Sequence, residues 1–453
     1  MIGSVIFAVV ALVAFGYAGY QFSKIRRNIL LGKDADIEPG RAGERWKNVL
    51  LIAFGQKKMF KRWIPAVFHL FIYVAFLFTQ IELIEIIIDG LFSQHRFFAD
   101  KLGGFYGFLI SFIEVLSVLA FVATLIFLIR RNALKIPRLR KPELKGWPKL
   151  DANLILIFEI ILLIGIFSMN GADMVLQERG AAGYPDTGNL AFSQFLGPML
   201  FDGLSNGQLV IVERFGWWLH LIMVFVFLNY LPISKHLHIL MAFPNTYYAR
   251  LEPKGEMDNM PDVMNEVKSM MDPEAAFDES AMEEELPTFG ANDIFDLSWK
   301  HLLGAYTCTE CGRCTAVCPA NITGKKLSPR KIVMNVRDRM EEVGKKLDSG
   351  NPEFIAEDKR GEGVVLAKEN FDDGRSLFDY ITREELHACT TCNACVEACP
   401  VQINPLEPIL AMRRYEILTE SAGPSDWVPM FTAIENTGTV WSVNDDREAW
   451  TRG

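Results

Sequence analysis

The sequence predicts an all-α protein in two halves: a five-helix transmembrane bundle, then a helical domain on the cytoplasmic side. Three observations carry this. Five apolar stretches precede residue 245, each near the ~20 residues that a helix needs to span a bilayer. The composition then turns acidic and is broken by prolines. Beyond that, two four-cysteine runs flank residues 319–388, whose text reads as helix and loop. The domains therefore read as 1–245, 246–300 and 301–453.

The apolar stretches run from Ile2 to Tyr20, Ile64 to Ile88, Phe105 to Ile129, Leu154 to Leu176 and Leu209 to Leu231. The first has no basic residue ahead of it and several after it, which marks an uncleaved anchor rather than a signal peptide. The segments after stretches one and three are rich in Lys and Arg, among them Lys24, Arg26, Arg27, Lys61 and Arg62, then Arg130, Arg131, Arg138 and Lys141. The other two loops hold few. The positive-inside rule then puts the N-terminus outside and everything after stretch five in the cytoplasm of a cell bounded by its inner membrane. Cysteines on that side are expected as thiolates rather than cystines. The formal charge of −9 argues against nucleic acid as a partner.

Histidines at membrane depth need a reason, because an unpartnered polar ring there is costly. His69 enters stretch two near its cytoplasmic end, and His238 closes stretch five at the same depth. That pair suits a bis-histidine haem b. A straight helix would bring His220 and His238 onto one face about 27 Å apart, and would turn His236 some 200° away from His238. His220 then has the outer position, and two haems are conceivable if it finds a partner. His95 is the spare candidate. Glu82, Glu85, Glu114 and Glu159 also fall in or at the ends of apolar stretches, where carboxylates mark proton or substrate paths. Glu82, Glu114 and His220 share the outer half, which makes them candidates for a quinone site.

From Leu251 to Lys300 the chain holds 14 Asp and Glu against three Lys, with Pro253, Pro261, Pro273 and Pro287. This reads as a solvated connector.

All 8 cysteines lie in the two runs, Cys308, Cys311, Cys314 and Cys318 before Pro319, and Cys389, Cys392, Cys395 and Cys399 before Pro400. Each run is C-x2-C-x2-C-x3-C-P, the two-cluster ferredoxin pattern in which the fourth cysteine serves the other run's cluster. A structural zinc site uses paired two-cysteine knuckles and fits poorly. One [4Fe-4S] cluster is expected on Cys308, Cys311, Cys314 and Cys399, and the second on Cys389, Cys392, Cys395 and Cys318. The long gap between the runs favours a mainly helical ferredoxin domain.

With "YLPISKHLHILMAFPNTYY" from Tyr230, "AYTCTECGRCTAVCPANITGKKLSPRKIV" from Ala305 and "LHACTTCNACVEACPVQI" from Leu386, the chain resembles the heterodisulfide-reductase-related iron–sulfur oxidoreductases. These join a membrane domain similar to the cytochrome b (gamma) subunit of respiratory nitrate reductase to a helical ferredoxin domain. The resemblance implies exchange of electrons with menaquinone and a soluble partner such as electron-transfer flavoprotein. It implies four haem-ligating histidines, of which His69, His220 and His238 match three; Thr79 stands where the fourth belongs, so one haem b is expected and the outer one is in doubt. It also implies a cysteine-rich CCG domain, expected here as a separate subunit.

The leading reading is a membrane electron conduit, an iron–sulfur quinone-linked oxidoreductase subunit. A self-contained reductase of a small substrate lacks any flavin fingerprint, nucleotide loop or spare nucleophile. A redox sensor or scaffold has no use for haem ligands at membrane depth.

Overall fold

The computed structural model describes residues 2–35, 37–257, 259–271, 288–440 and 448–452. Residues 272–287 of the acidic connector, and 441–447, lie outside the described residues. The described residues form helices, turns and loops, with isolated bridges from Lys33 to Ser298 and Ile355 to Phe371 and no strand.

Five helices are long and apolar enough to cross a membrane. They are α1 (Ile2–Ile29), α2 (Trp63–Phe92), α3 (Gly104–Asn132), α4 (Trp147–Glu178) and α5 (Asn206–Tyr230). Each outruns the apolar stretch that predicted it, because the polar ends continue the helix; α1 carries Arg26 and Arg27 in its last turn. Large apolar side chains point outward along the bundle, Leu12 with 74% exposure among them, as a lipid-facing surface requires. Inside, α4 and α5 touch through small residues. A Cβ on Gly216 would sit 2.6 Å from the Met169 amide nitrogen, and one on Gly165 2.9 Å from that of His220. Such close approach is how helices associate where no hydrophobic force separates them from lipid.

Helix α5 starts with a capping box, Ser205 and Gln208 exchanging side-chain and backbone bonds. It ends at Tyr230. Pro232 follows in a 3-10 turn, Ser234 is extended (φ −122°, ψ 151°), and a second 3-10 turn spans Lys235–Leu237. Helix α6 (His238–Tyr247) then begins afresh. The straight helix through His220, His236 and His238 is therefore corrected: proline removes a backbone donor and breaks the helical register.

The second half contains α7 (Trp299–Thr307), α8 (Arg313–Val317), α9 (Pro329–Ser349), α10 (Ala394–Ala398) and α11 (Leu406–Arg414). Its core includes Leu302, Ile332, Val336, Met340, Leu386 and Met412. It also takes in Ala291, Ile294 and Leu297, so packing reaches back into the stretch read as connector. Ile25 and Leu31, from the end of α1 and just beyond it, join the same core, so the halves share one interior. Polar contacts reinforce the seam. Asn28 donates to the Tyr306 hydroxyl at 2.9 Å, and Arg27 pairs with Asp348. The fully buried Arg330 reaches Glu143 Oε1 at 2.7 Å and the Arg138 carbonyl at 2.8 Å. The second half thus sits on the bundle end that carries the basic loops.

Candidate redox centre at the seam

Both cysteine runs fold into the same loop. Glu310 (φ 51°) and Gly312 (φ 68°) in the first run, and Thr391 (φ 53°) and Asn393 (φ 59°) in the second, adopt left-handed conformations at equivalent places. Only residues tolerant of that region fit without strain, and Gly and Asn are the most tolerant. Gly312 has a second constraint: a Cβ there would collide with the Arg330 guanidinium. The turns aim backbone donors at sulfur. Glu310 N–H meets Cys308 Sγ and Thr391 N–H meets Cys389 Sγ, each at 3.4 Å, while Ile403 N–H meets Cys399 Sγ at 3.3 Å. Such bonds stabilise thiolate charge and tune a cluster's potential.

The fourth cysteines cross over. Cys399 lies within electrostatic reach of Cys311 and Cys314, and Cys318 within reach of Cys389 and Cys395. The set Cys308, Cys311, Cys314, Cys399 packs toward the membrane half, whereas Cys392 of the other set is exposed. Burial pushes the Cys308 and Cys395 thiols up to about 12 and Cys399 up to about 11. A metal centre must therefore drive protons off as it binds. Eight sulfurs in two crossed sets, with N–H donors aimed at them, fit two [4Fe-4S] clusters.

Basic groups surround the first set. Arg138 and Arg313 face Cys311, and Lys58, Lys300 and Arg313 face Cys399. Burial, then the charges of Arg62, Arg130 and Arg313, push Arg138 down to about 10 despite the attraction of Cys311. Arg313 also donates to the carbonyls of Lys58 and Met59 at 3.2 and 3.3 Å, which ties the first cysteine run to the foot of α2.

His69 and His238 come together on the membrane side of this set, each within electrostatic reach of the other and His69 within reach of Arg313. His69 donates from Nδ1 to Gln56 Oε1 at 3.1 Å, and His238 from Nδ1 to the Lys235 carbonyl at 2.9 Å. Both Nε2 atoms are left for a metal, the arrangement ligating histidines adopt. Burial holds the His238 imidazole below its usual range, so it is neutral at physiological pH. His236 stands beside them, its ring 5.8 Å from that of His238. Its Nδ1 is buried without a partner, and burial pushes it down to about 3. The expectation that His236 points away is overturned by the break at Pro232. These residues fit a haem.

The outer histidine and the outer carboxylates each have hydrogen-bond partners of their own. His220 donates from Nδ1 to the Leu162 carbonyl at 3.1 Å. Glu82 and Glu114 are instead bridged by Asn170 Nδ2, 3.4 Å from each. Asn170 is eight residues beyond Leu162 on α4, about 12 Å along the axis. Arg96 anchors that network, bonding Asn170 at 2.7 Å and Asp173 at 2.9 Å. Glu114 also accepts from the backbone of Phe192 and Ser193, and Glu85 from Tyr106 and Phe98. His95 is committed to Asp173 at 3.1 Å, and Thr79 bonds back to its own helix at Phe76. Neither meets His220. Glu159 makes no side-chain hydrogen bond among the described residues.

Sequence reasoning missed Gln56, Arg138, Arg313 and Arg96. For Arg138 the one available signal is the density of basic residues in the inner loops; Gln56 is not basic, and Arg96 and Arg313 lie outside those loops.

Comparison with known proteins supports the iron–sulfur part of this site. A 4Fe-4S dicluster domain matches residues 307–403. The chain is 30% identical over 462 residues to a probable iron–sulfur-binding oxidoreductase, FadF, of Bacillus subtilis, covering 98% of this chain and 60% of that protein. It is 27% identical over 440 residues to the EtfAB:quinone oxidoreductase of Syntrophomonas wolfei, covering 91% of this chain and 54% of that one. A probable membrane-anchored ferredoxin of Chromohalobacter salexigens is 36% identical over 156 residues, 33% of this chain and 22% of its own. The chain thus spans a little over half the length of the first two. No solved structure matches it. The resemblance to iron–sulfur oxidoreductases is borne out, as is the all-α fold with a ferredoxin domain.

Proposed function

We propose that this chain conducts electrons between a soluble electron-transfer flavoprotein and the menaquinone pool, as a subunit of a quinone-linked oxidoreductase in the cytoplasmic membrane. The N-terminus lies outside and the ferredoxin half inside. Two [4Fe-4S] clusters and a haem b, when bound, supply the one-electron redox chemistry.

The observation that carries this is the position of Arg313. It belongs to the first cysteine run, bonds the backbone of the membrane half at Lys58 and Met59, and lies within electrostatic reach of both Cys311 and His69. The two cysteine runs and the histidine pair are thereby held against each other across a shared core. Cys308, Cys311, Cys314 and Cys399 hold the membrane-side cluster, and Cys389, Cys392, Cys395 and Cys318 the outer one. Gln56 and the Lys235 carbonyl orient His69 and His238.

The exposed Cys392 marks the side where a soluble partner docks. A cysteine-rich CCG subunit is the second partner we infer, since a two-electron flavin must meet one-electron centres. On the membrane side the quinone has two separate polar places: His220, and the pair Glu82 and Glu114 bridged by Asn170.

The test is purification in mild detergent with iron, labile sulfide and haem analysis, then reduction of a menaquinone analogue by reduced electron-transfer flavoprotein. Iron and sulfide for two clusters with quinone-dependent reoxidation is expected. Stoichiometric zinc, or clusters that reduced flavoprotein cannot reach in any subunit composition, would sink the reading.

A further inference from the structure

Four arginines meet at the seam from four places: Arg62 at the foot of α2, Arg130 near the end of α3, Arg138 in the loop after it and Arg313 at the start of α8. They repel one another. Neighbouring cations at the same seam are matched: Lys235 and Arg337 with Glu310, Arg330 with Glu143. None of the four arginines has a carboxylate partner among the described residues. Arg138 goes further, because its Nε and Nη1 are buried and donate to nothing. Its backbone is pinned by Arg330, which bonds the Arg138 carbonyl at 2.8 Å. A buried guanidinium held in place with idle donors among other cations is costly unless an anion completes it.

The loop that touches Arg138 is that of the first sulfur set: a Cβ on Gly312 would sit 3.2 Å from the Arg138 carbonyl. Cys311 attracts both Arg138 and Arg313. The outer set has far less: Arg413 faces Cys389, and its N–H groups already serve the Leu386 and Cys389 carbonyls. Reduction adds negative charge to a cluster, and buried cations favour that charge.

Resting on the reading above, we propose that Arg138, a residue of the membrane half, donates to the cluster ligated by Cys308, Cys311, Cys314 and Cys399 and makes it the easier of the two to reduce. It acts as a positioning and tuning residue, not a catalytic one. The arrangement biases electrons toward the membrane, and it makes the potential of a cluster in one half depend on a residue of the other.

The experiment is a redox titration followed by electron paramagnetic resonance on the full chain in detergent, comparing Arg138→Gln and Arg138→Lys with the unaltered protein. Cys392→Ser identifies the outer cluster by altering its signal. The expected result is that Arg138→Gln lowers the midpoint potential of one centre, the one Cys392→Ser leaves intact. Arg138→Lys should recover part of the shift, and iron and sulfide should stay at the unaltered level. If no centre moves, if both move equally, or if the outer centre moves, the proposal is overturned. Movement that disappears on delipidation would assign the free donors to an anionic lipid instead and overturn it too. An unaltered chain without two clusters would sink the functional reading and the proposal together, and its iron analysis distinguishes that case.

Discussion

Gln56 Oε1 accepts the Nδ1 proton of His69 at 3.1 Å, from a residue that is itself buried and left-handed at φ 49°. The turn follows a π-helical segment, Val49–Phe54, and the Gly55 N–H closes on the Leu50 carbonyl at 2.8 Å. A non-glycine residue at positive φ is strained, and strain of this kind clusters where geometry serves a site. Gln56 therefore fixes the tautomer and the plane of the His69 ring.

Replacing Gln56 by Ala should leave the protein folded but loosen the haem held at His69 and His238, by the roughly 10–100-fold typical of partners behind a metal ligand. Haem retained per chain after repeated detergent exchange measures this. Retention equal to the unaltered protein would mean that the Gln56 bond is only a turn closure.

The crossing of the fourth cysteines gives a prediction with a spectroscopic sign. Cys318→Ser changes the first run in sequence but should damage the cluster held by Cys389, Cys392 and Cys395, because Cys318 stands among those sulfurs. About four of about eight irons should be lost or rendered labile. Loss confined to the signal that Cys311→Ser also removes would refute the crossed assignment.

The two cysteine runs, and the two histidines that the fold brings together, could be picked out because each has a fixed spacing or a matched depth, both countable along the chain. His236 was misjudged because one proline changed the angle per residue, and helical arithmetic fails across a break. Arg138 and Arg313 were not legible as site residues: they act through long-range contacts, Arg138 lying 173 positions from Cys311 and Arg313 some 250 from Lys58, and nothing local in sequence distinguishes them from other basic residues. Gln56 lies only 13 positions from His69, but the left-handed turn that aims it is not written in a residue type that favours one. His220 and the pair Glu82 and Glu114 take different partners on α4, the Leu162 carbonyl and Asn170. Sharing one half of a membrane fixes depth only to within several helical turns.

A stability prediction comes from the second half. Arg339, 1% exposed at its side chain, binds Asp373 at 2.6 Å and also Asp293. These salt bridges fasten the segment before α7 to α9 and to the loop before the second cysteine run. The Arg339 guanidinium and Lys346, bonding it directly, hold the Asp373 carboxyl down at about 2 against the effect of burial. Arg339→Met would take the cation from Asp293 and leave Asp373 with Lys346 alone, and removing one partner of a buried pair costs about 3–5 kcal/mol. Urea denaturation followed by loss of cluster absorbance should show a clearly lower midpoint. A triple variant that also carries Asp293→Asn and Asp373→Asn should recover part of the loss, whereas failure to recover would assign the effect to packing.

The last prediction concerns haem count. His69 and His238 lie within electrostatic reach of each other, and both rings are oriented through Nδ1, which leaves Nε2 for a metal. His220 has a free Nε2 as well, since its Nδ1 is bonded to Leu162. What it lacks is an opposing ring: Thr79 turns its hydroxyl to Phe76, and His95 is held by Asp173. Bis-histidine ligation at the outer level therefore has one ligand only. We expect one haem b per chain, lost in His69→Ala and in His238→Ala and kept in His220→Ala. His236 adds a discriminating variant, because its partnerless Nδ1 lies beside His238 without sharing its backbone bond. His236→Ala should keep the haem but shift its potential, whereas loss of haem would make His236 the ligand in place of His238. A haemochrome assay that returns two haems per chain, one of them lost with His220, would overturn the count and require a ligand from another helix or another chain.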